Sequence, residues 1–165
     1  MFDKFGEMDS YKEINELADN LLKEGDIKSI REMSEENGIP EELTDLFITK
    51  VTPYLCDAMT AAHGKIDLEC RELKPKEIIE DWVEYLKGEC AEQDKLAIAV
   101  RKKGKTLKGC IGEILKWSFS HQIPIDNEIK KAAGVTVNKV TLGIPGMGQA
   151  KRIIKQYYLG GQDNE

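Results

Sequence analysis

The feature that most narrows the fold of this chain is its rhythm. Apolar residues recur every three or four positions, and a start or stop signal for a helix interrupts them about every ten to fifteen residues. Ser10-Tyr11-Lys12-Glu13 forms a capping box with Phe2 and Phe5 just upstream, and it opens a helix carrying Ile14, Leu17, Ala18, Leu21 and Leu22. Gly25 stops that helix, Asp26 starts a second with Ile27, Ile30 and Met33, and Asn37-Gly38 stops the second. Pro40 takes the first position of a third, expected to bury Leu43, Leu46, Phe47 and Val51 before Pro53 interrupts it. A longer segment runs from Tyr54 through Met59, Ala62 and Ile66 to Leu68, with Gly64 a weak point near its middle. Pro75 opens a helix with Ile78, Trp82, Val83 and Leu86 on one side, and a shorter one carries Leu96, Ile98 and Val100. Leu107, Ile111, Ile114, Leu115, Ser118 and Phe119 make a further amphipathic helix with Trp117 beside the stripe, and Asp126 caps a short helix ending at Gly134.

Strand character is confined to Val135 to Leu142, where Val135, Val137, Val140 and Thr141 partly alternate. The glycines of Gly143-Ile144-Pro145-Gly146-Met147-Gly148 then permit a tight turn into a last helix bearing Ile153, Ile154, Tyr157 and Tyr158. The polar tail after Leu159 is expected to fray. The predicted fold is mainly α: a compact multi-helix domain with at most one short strand or hairpin near 135–142. Its organisation reads as an acidic N-terminal helical module, 1–72, and a C-terminal helical part, 73–165, with a basic loop and the final helix. One continuous domain is the other reading.

At 165 residues the chain can bury a core without disulfides or metal. No apolar run approaches the roughly 20 residues that span a bilayer, and residues 1–10 hold three acidic residues and no apolar core of a signal peptide. The expected location is the cytoplasm of a bacterial host cell, with no membrane contact. Cys56, Cys70, Cys90 and Cys110 are too far apart for a zinc knuckle or a redox pair and read as free thiols. The net charge of −6 hides an asymmetry. Residues 1–94 hold 25 Asp+Glu against 11 Lys+Arg, a net of −14, and residues 95–165 hold 5 against 13, a net of +8. A split of this size points to an electrostatic partner, or to halves that neutralise each other within one molecule or between two copies, as in a homodimer.

Catalysis needs groups with complementary roles, and the sequence does not assemble them. His121 lies eleven positions from Cys110 along one helix, about 16 Å at 1.5 Å per residue, so it reads as a helix-end histidine. The run Gly143-x-x-Gly146-x-Gly148 lacks the Lys-Ser/Thr of a phosphate loop, although an anion there would offset Lys151 and Arg152 in the first turn of the helix. No cofactor or metal is expected, and the chain reads as a binder, not an enzyme. Two charged sets are the candidate partner-binding residues. Glu13, Glu16, Glu35, Glu36, Glu41 and Glu42 form an acidic surface able to imitate nucleic-acid phosphates. Arg101, Lys102, Lys103, Lys105 and Lys108 form a basic loop suited to phosphate contact, with no aromatic pattern for reading bases.

Four strings, taken together, resemble a family of phage and mobile-element proteins from gut Firmicutes grouped with inhibitors of the type II RNA-guided nuclease (anti-CRISPR proteins). They are residues 1–10, Gly25-Asp26 through Glu36-Asn37-Gly38-Ile39, Arg101-Lys-Lys-Gly-Lys-Thr-Leu-Lys-Gly-Cys110, and Leu142-Gly-Ile-Pro-Gly146 through Tyr157-Tyr158-Leu-Gly160. The stretch from Gly109-Cys110-Ile111 to Trp117 is also loosely similar to PcfK-like proteins of conjugative elements. The resemblance implies inhibition by binding the guide-loaded nuclease, without cofactor or turnover, blocking target DNA binding or cleavage. An acidic module could occupy a channel built for nucleic acid. The alternative is a nucleic-acid-associated accessory protein of a phage or conjugative element, working through the basic loop.

Overall fold

The computed structural model describes residues 2–160, so the tail from 161 onward, where fraying is expected, lies outside the described residues. In chain order the elements are α1 (Tyr11–Glu24), α2 (Ile27–Glu36), α3 (Glu41–Ile48), α4 (Ala58–Leu73), α5 (Ile78–Glu92), α6 (Asp94–Arg101) and α7 (Leu107–Ser120). Then follow β1 (Ile123–Pro124), α8 (Asn127–Ala132), β2 (Thr141–Leu142) and α9 (Met147–Leu159). The mainly α expectation holds. Among the described residues, no helix is long and apolar enough to cross a membrane.

Local chemistry explains where most helices begin. The Ser10 hydroxyl accepts from the Glu13 amide at 3.2 Å, Asp26 from Ser29 at 3.0 Å, Asp57 from Thr60 at 2.7 Å and Thr106 from Gly109 at 3.0 Å. The capping box closes one residue earlier than its usual form, because the Glu13 carboxylate accepts from the Asp9 amide at 2.6 Å. Gly25 ends α1 in the left-handed conformation that its missing Cβ allows.

Two apolar clusters form. Ile14, Ala18, Ile30, Met33, Phe47 and Ala61 belong to the first; Ile66, Trp82, Leu86, Leu96, Ile114 and Ile154 belong to the second. Helix α4 supplies side chains to both, so a boundary near residue 72 falls at the end of the element the two clusters share. Gly64 on this helix is a contact point. A Cβ there would lie 2.7 Å from the carbonyl oxygens of Asn37 and Gly38, so only glycine lets α4 approach the end of α2 this closely.

Several local expectations are corrected. Helix α4 starts at Ala58, not Tyr54, because Asn15 holds the preceding backbone: its Oδ1 accepts from the Leu55 and Cys56 amides at 2.9 and 3.0 Å. Pro40 is the residue before α3, not its first residue, and α3 stops at Ile48. Leu46 and Val51, expected in the core, are exposed, since the amides of Val51 and Thr52 turn back to the Leu46 carbonyl. Helix α5 starts at Ile78, three residues after Pro75. The strand expected near 135–142 shrinks to β2, which pairs antiparallel with β1, in register Ile123 to Leu142 and Pro124 to Thr141.

Candidate functional site

The acidic set is distributed over α1, α2 and α3. Glu13, Glu16, Glu35, Glu41 and Glu42 are exposed, and Glu36 is half-buried. Their local roles differ. Glu13 closes the α1 cap, and Glu36 accepts from the amides of Lys4, Phe5 and Gly6 at 3.1–3.2 Å, pinning the N-terminal segment to α2. Glu41 lies 3.7 Å from the Arg31 guanidinium, whose other end meets Asp45 at 2.6 Å. Glu16, Glu35 and Glu42 carry charge at the surface with no such structural duty.

The basic loop does not present five free cations. Arg101 is buried, which removes it from any partner surface. Its guanidinium donates to the Met8 carbonyl at 3.1 Å, to the Ala61 carbonyl at 3.4 Å and to the Asn37 side-chain oxygen, and it stacks over Phe2 at 5.7 Å. Burial lowers its affinity for its proton. The physical reason for the correction is position: Arg101 is one helical turn beyond buried Ala97 and follows buried Val100, so it continues the inward face of α6. Lys105 is half-buried as well, donating to the Tyr157 carbonyl at 2.5 Å with its ammonium 4.9 Å from the Tyr157 ring. Lys102, Lys103 and Lys108 remain exposed.

The fold brings part of the two sets together. Lys103 lines one groove of about 650 Å³ with Glu7, Glu13 and Glu16, and its backbone amide donates to Asp9 at 2.8 Å. Beneath it, buried Lys65 bridges the Glu7 carboxylate at 2.5 Å and the Lys102 carbonyl at 2.9 Å. Glu69, one turn further along α4, accepts from the Leu107 amide at 2.8 Å and so caps α7 alongside Thr106. Among the described residues its second oxygen is buried without a partner, and burial raises the carboxyl above its usual value. These groups join the N-terminal segment, α4 and the loop. Sequence reasoning missed Lys65 and Glu69, although a Lys and a Glu four apart on an apolar helix is a signal that could have found them.

A second groove of about 460 Å³ lies between α7 and α9, lined by Lys116, Trp117, Ser120, Gln149, Gln156 and Tyr157. Trp117 and His121 stack with centroids 4.1 Å apart. Ser120 Oγ lies 3.0 Å from His121 Nδ1, but both groups also face the Trp117 carbonyl, at 3.0 and 2.9 Å. The contact finishes a helix end, as expected for His121, and does not build a nucleophile and its base. The cysteines are free; burial pushes the Cys56, Cys90 and Cys110 thiols up to about 12 and also raises half-buried Cys70. Such thiols are poor nucleophiles at neutral pH. Among the described residues, no group of three or more His, Cys, Asp or Glu could hold a metal ion. Comparison of the chain with protein-family models, curated proteins and solved structures finds no match.

Proposed function

We propose that this chain is a non-catalytic inhibitor that binds a guide-loaded type II RNA-guided nuclease and blocks target DNA binding or cleavage. The observation that carries the reading is the acidic lobe. Residues 2–57 hold 15 Asp+Glu against 6 Lys+Arg, a net of −9, and the exposed Glu16, Glu35 and Glu42 stand on three helices packed in succession, of which α1 and α2 carry side-chain caps. A rigid acidic surface complements the basic channels such a nuclease builds for its guide–target duplex, and the sequence resemblance points to the same partner. A plasmid-cleavage assay with the guide-loaded nuclease tests it, with this protein added before or after target DNA. Dose-dependent protection is expected, weakened by joint reversal of Glu16, Glu35 and Glu42 to Lys. Absence of protection with folded protein in excess over several nucleases refutes it.

The accessory-protein reading rests on Lys102, Lys103 and Lys108, the cations of the loop that stay exposed. It predicts retention on DNA or RNA that falls steeply with salt and is lost when these three become Ala. With Arg101 buried and Lys105 tied to Tyr157, the loop offers less charge to phosphates than its sequence promised.

A further inference from the structure

The turn after α2 touches α4 backbone to backbone at Gly38 and Gly64, where a Cβ on either glycine would clash with the other. From that contact α2 leads back to Arg31 and α4 leads on to Arg71. A cleft of about 570 Å³ lies between them, within the ~300–1,000 Å³ of small-molecule sites. Arg31, Ser34, Glu35 and Gly38 line one wall. They are spaced three and four apart, so the Arg31, Ser34 and Glu35 side chains share the stripe of α2 that is turned to the cleft. Asp67 and Arg71, four apart on α4, line the opposite wall, and the start of α3 closes the cleft with Pro40, Glu41 and Thr44.

Several polar groups of the cleft already have partners inside the molecule. Arg31 meets Glu41 and Asp45, Asp67 holds Lys87 at 2.9 Å, and the Thr44 hydroxyl donates to the Pro40 carbonyl at 3.1 Å. Four features are left over. Ser34 is 2% exposed, and among the described residues its hydroxyl has no hydrogen-bond partner. Such orphans are rare in native proteins, because burying a hydroxyl unpaired costs stability. Arg71 and Glu35 are exposed and opposite in charge, yet neither side chain has a partner among the described residues. Helix α3 starts with no side chain capping its first amides, since Pro40 offers no acceptor there.

We propose that this cleft binds a small zwitterion of the free α-amino acid class. The ligand's carboxylate accepts from the Ser34 hydroxyl and the Arg71 guanidinium and faces the positive end of α3. Its ammonium group is held by Glu35, with Glu41 and Asp67 adding negative charge nearby. Ile39 and Pro40 give its side chain an apolar wall. One zwitterion satisfies every unpaired group, whereas a plain anion would leave Glu35 repelling it and a plain cation would leave Arg71 and the hydroxyl unused. The proposal does not rest on the inhibitor reading.

The test titrates the whole chain with each of the standard protein amino acids, by calorimetry and by thermal unfolding. At least one should bind saturably and raise the unfolding midpoint, by about 5–10 °C at a hundredfold excess over its Kd. Its N-acetyl derivative, which lacks the ammonium, and its amide, which lacks the carboxylate, should each bind at least about tenfold more weakly. Ser34→Ala and Arg71→Ala should each weaken binding by a similar factor. Without ligand, Ser34→Ala should keep the wild-type midpoint or raise it, because the hydroxyl has no partner to lose. Arg71→Ala, at an exposed position, should leave the midpoint unchanged. The proposal is overturned if none of the amino acids binds, or if either variant binds as tightly as wild type. Equal binding of the N-acetyl derivative or the amide would mark a plain anion or cation site and overturns it too. So does a lowered midpoint in unliganded Ser34→Ala, which would give the hydroxyl a structural partner.

Discussion

Replacing Arg101 by Ala should cost the fold about 3–5 kcal/mol, and the number can be built from its contacts. Met8 O and Asn37 Oδ1 lose a charged donor in a buried site, at about 1–3 kcal/mol each. The Ala61 carbonyl adds little, because it lies within α4 and can use the helix's own bonding. Losing the two buried methylenes beyond Cβ costs about 1.6 kcal/mol more at roughly 0.8 each. Against this stands the cost of holding a guanidinium out of water with only neutral acceptors in contact, and its release offsets part of the loss. At about 2–4 °C per kcal/mol for a chain of this size, the midpoint of thermal unfolding should fall by about 10 °C. Arg101→Lys is the sharper perturbation. It keeps the charge and most of the stem but loses the planar fork, so about 2 kcal/mol should still be lost in urea unfolding. A lysine variant within 0.5 kcal/mol of wild type, with an alanine variant costing under about 1, would refute this account of the buried Arg101 contacts.

Three other experiments probe burial and packing elsewhere in the fold. Burial raises the Glu69 carboxyl above its usual value of 4.5, so the stability tied to its proton is complete below that pH and is lost as pH rises through the folded value. Glu69→Gln should therefore gain in urea midpoint relative to wild type as pH is raised from 4 to 8, and a constant difference would contradict this. Gly64→Ala should cost about 1–3 kcal/mol or more through its clash with Asn37 and Gly38, whereas Gly112→Ala, with open space around its Cβ, should be neutral or add up to about 1 kcal/mol. With Ellman's reagent at pH 8, half-buried Cys70 should react first, while Cys56, Cys90 and Cys110 should react only as the chain unfolds. Four rapid thiols in the native protein would contradict their placement.

What the sequence made legible is what neighbouring residues decide. Ser10, Asp26 and Asp126 each cap the helix they were expected to cap, and Gly25 stops α1, because these signals act over two to four positions. Contacts between distant residues were not legible. Nothing local says that Arg101 reaches Asn37, that Asn15 accepts from the Leu55 amide, or that Gly64 is a crossing point instead of a weak one. The exposure of Leu46 and Val51 was hidden for a related reason. Periodicity shows that a face is apolar, but not whether this chain or another molecule covers it. The charge split was visible in the sequence, yet its fine structure was not: among the candidate cations, burial claims Arg101 and a carbonyl claims Lys105.

That fine structure also decides which acidic residues can test the inhibitor reading. Reversing Glu13 or Glu36 would disturb the α1 cap or release the N-terminal segment from α2, so lost function there would report on folding as much as on binding. Glu16 lines the groove with Lys103, and Glu42 is exposed in the first turn of α3; neither holds a cap or a segment in place. Glu16→Lys and Glu42→Lys should therefore each weaken nuclease inhibition while leaving the thermal midpoint near that of wild type, whereas Glu13→Lys and Glu36→Lys should lower both. If Glu16→Lys and Glu42→Lys both left inhibition intact in folded protein, the acidic surface of α1 and α3 would have no part in contacting the nuclease.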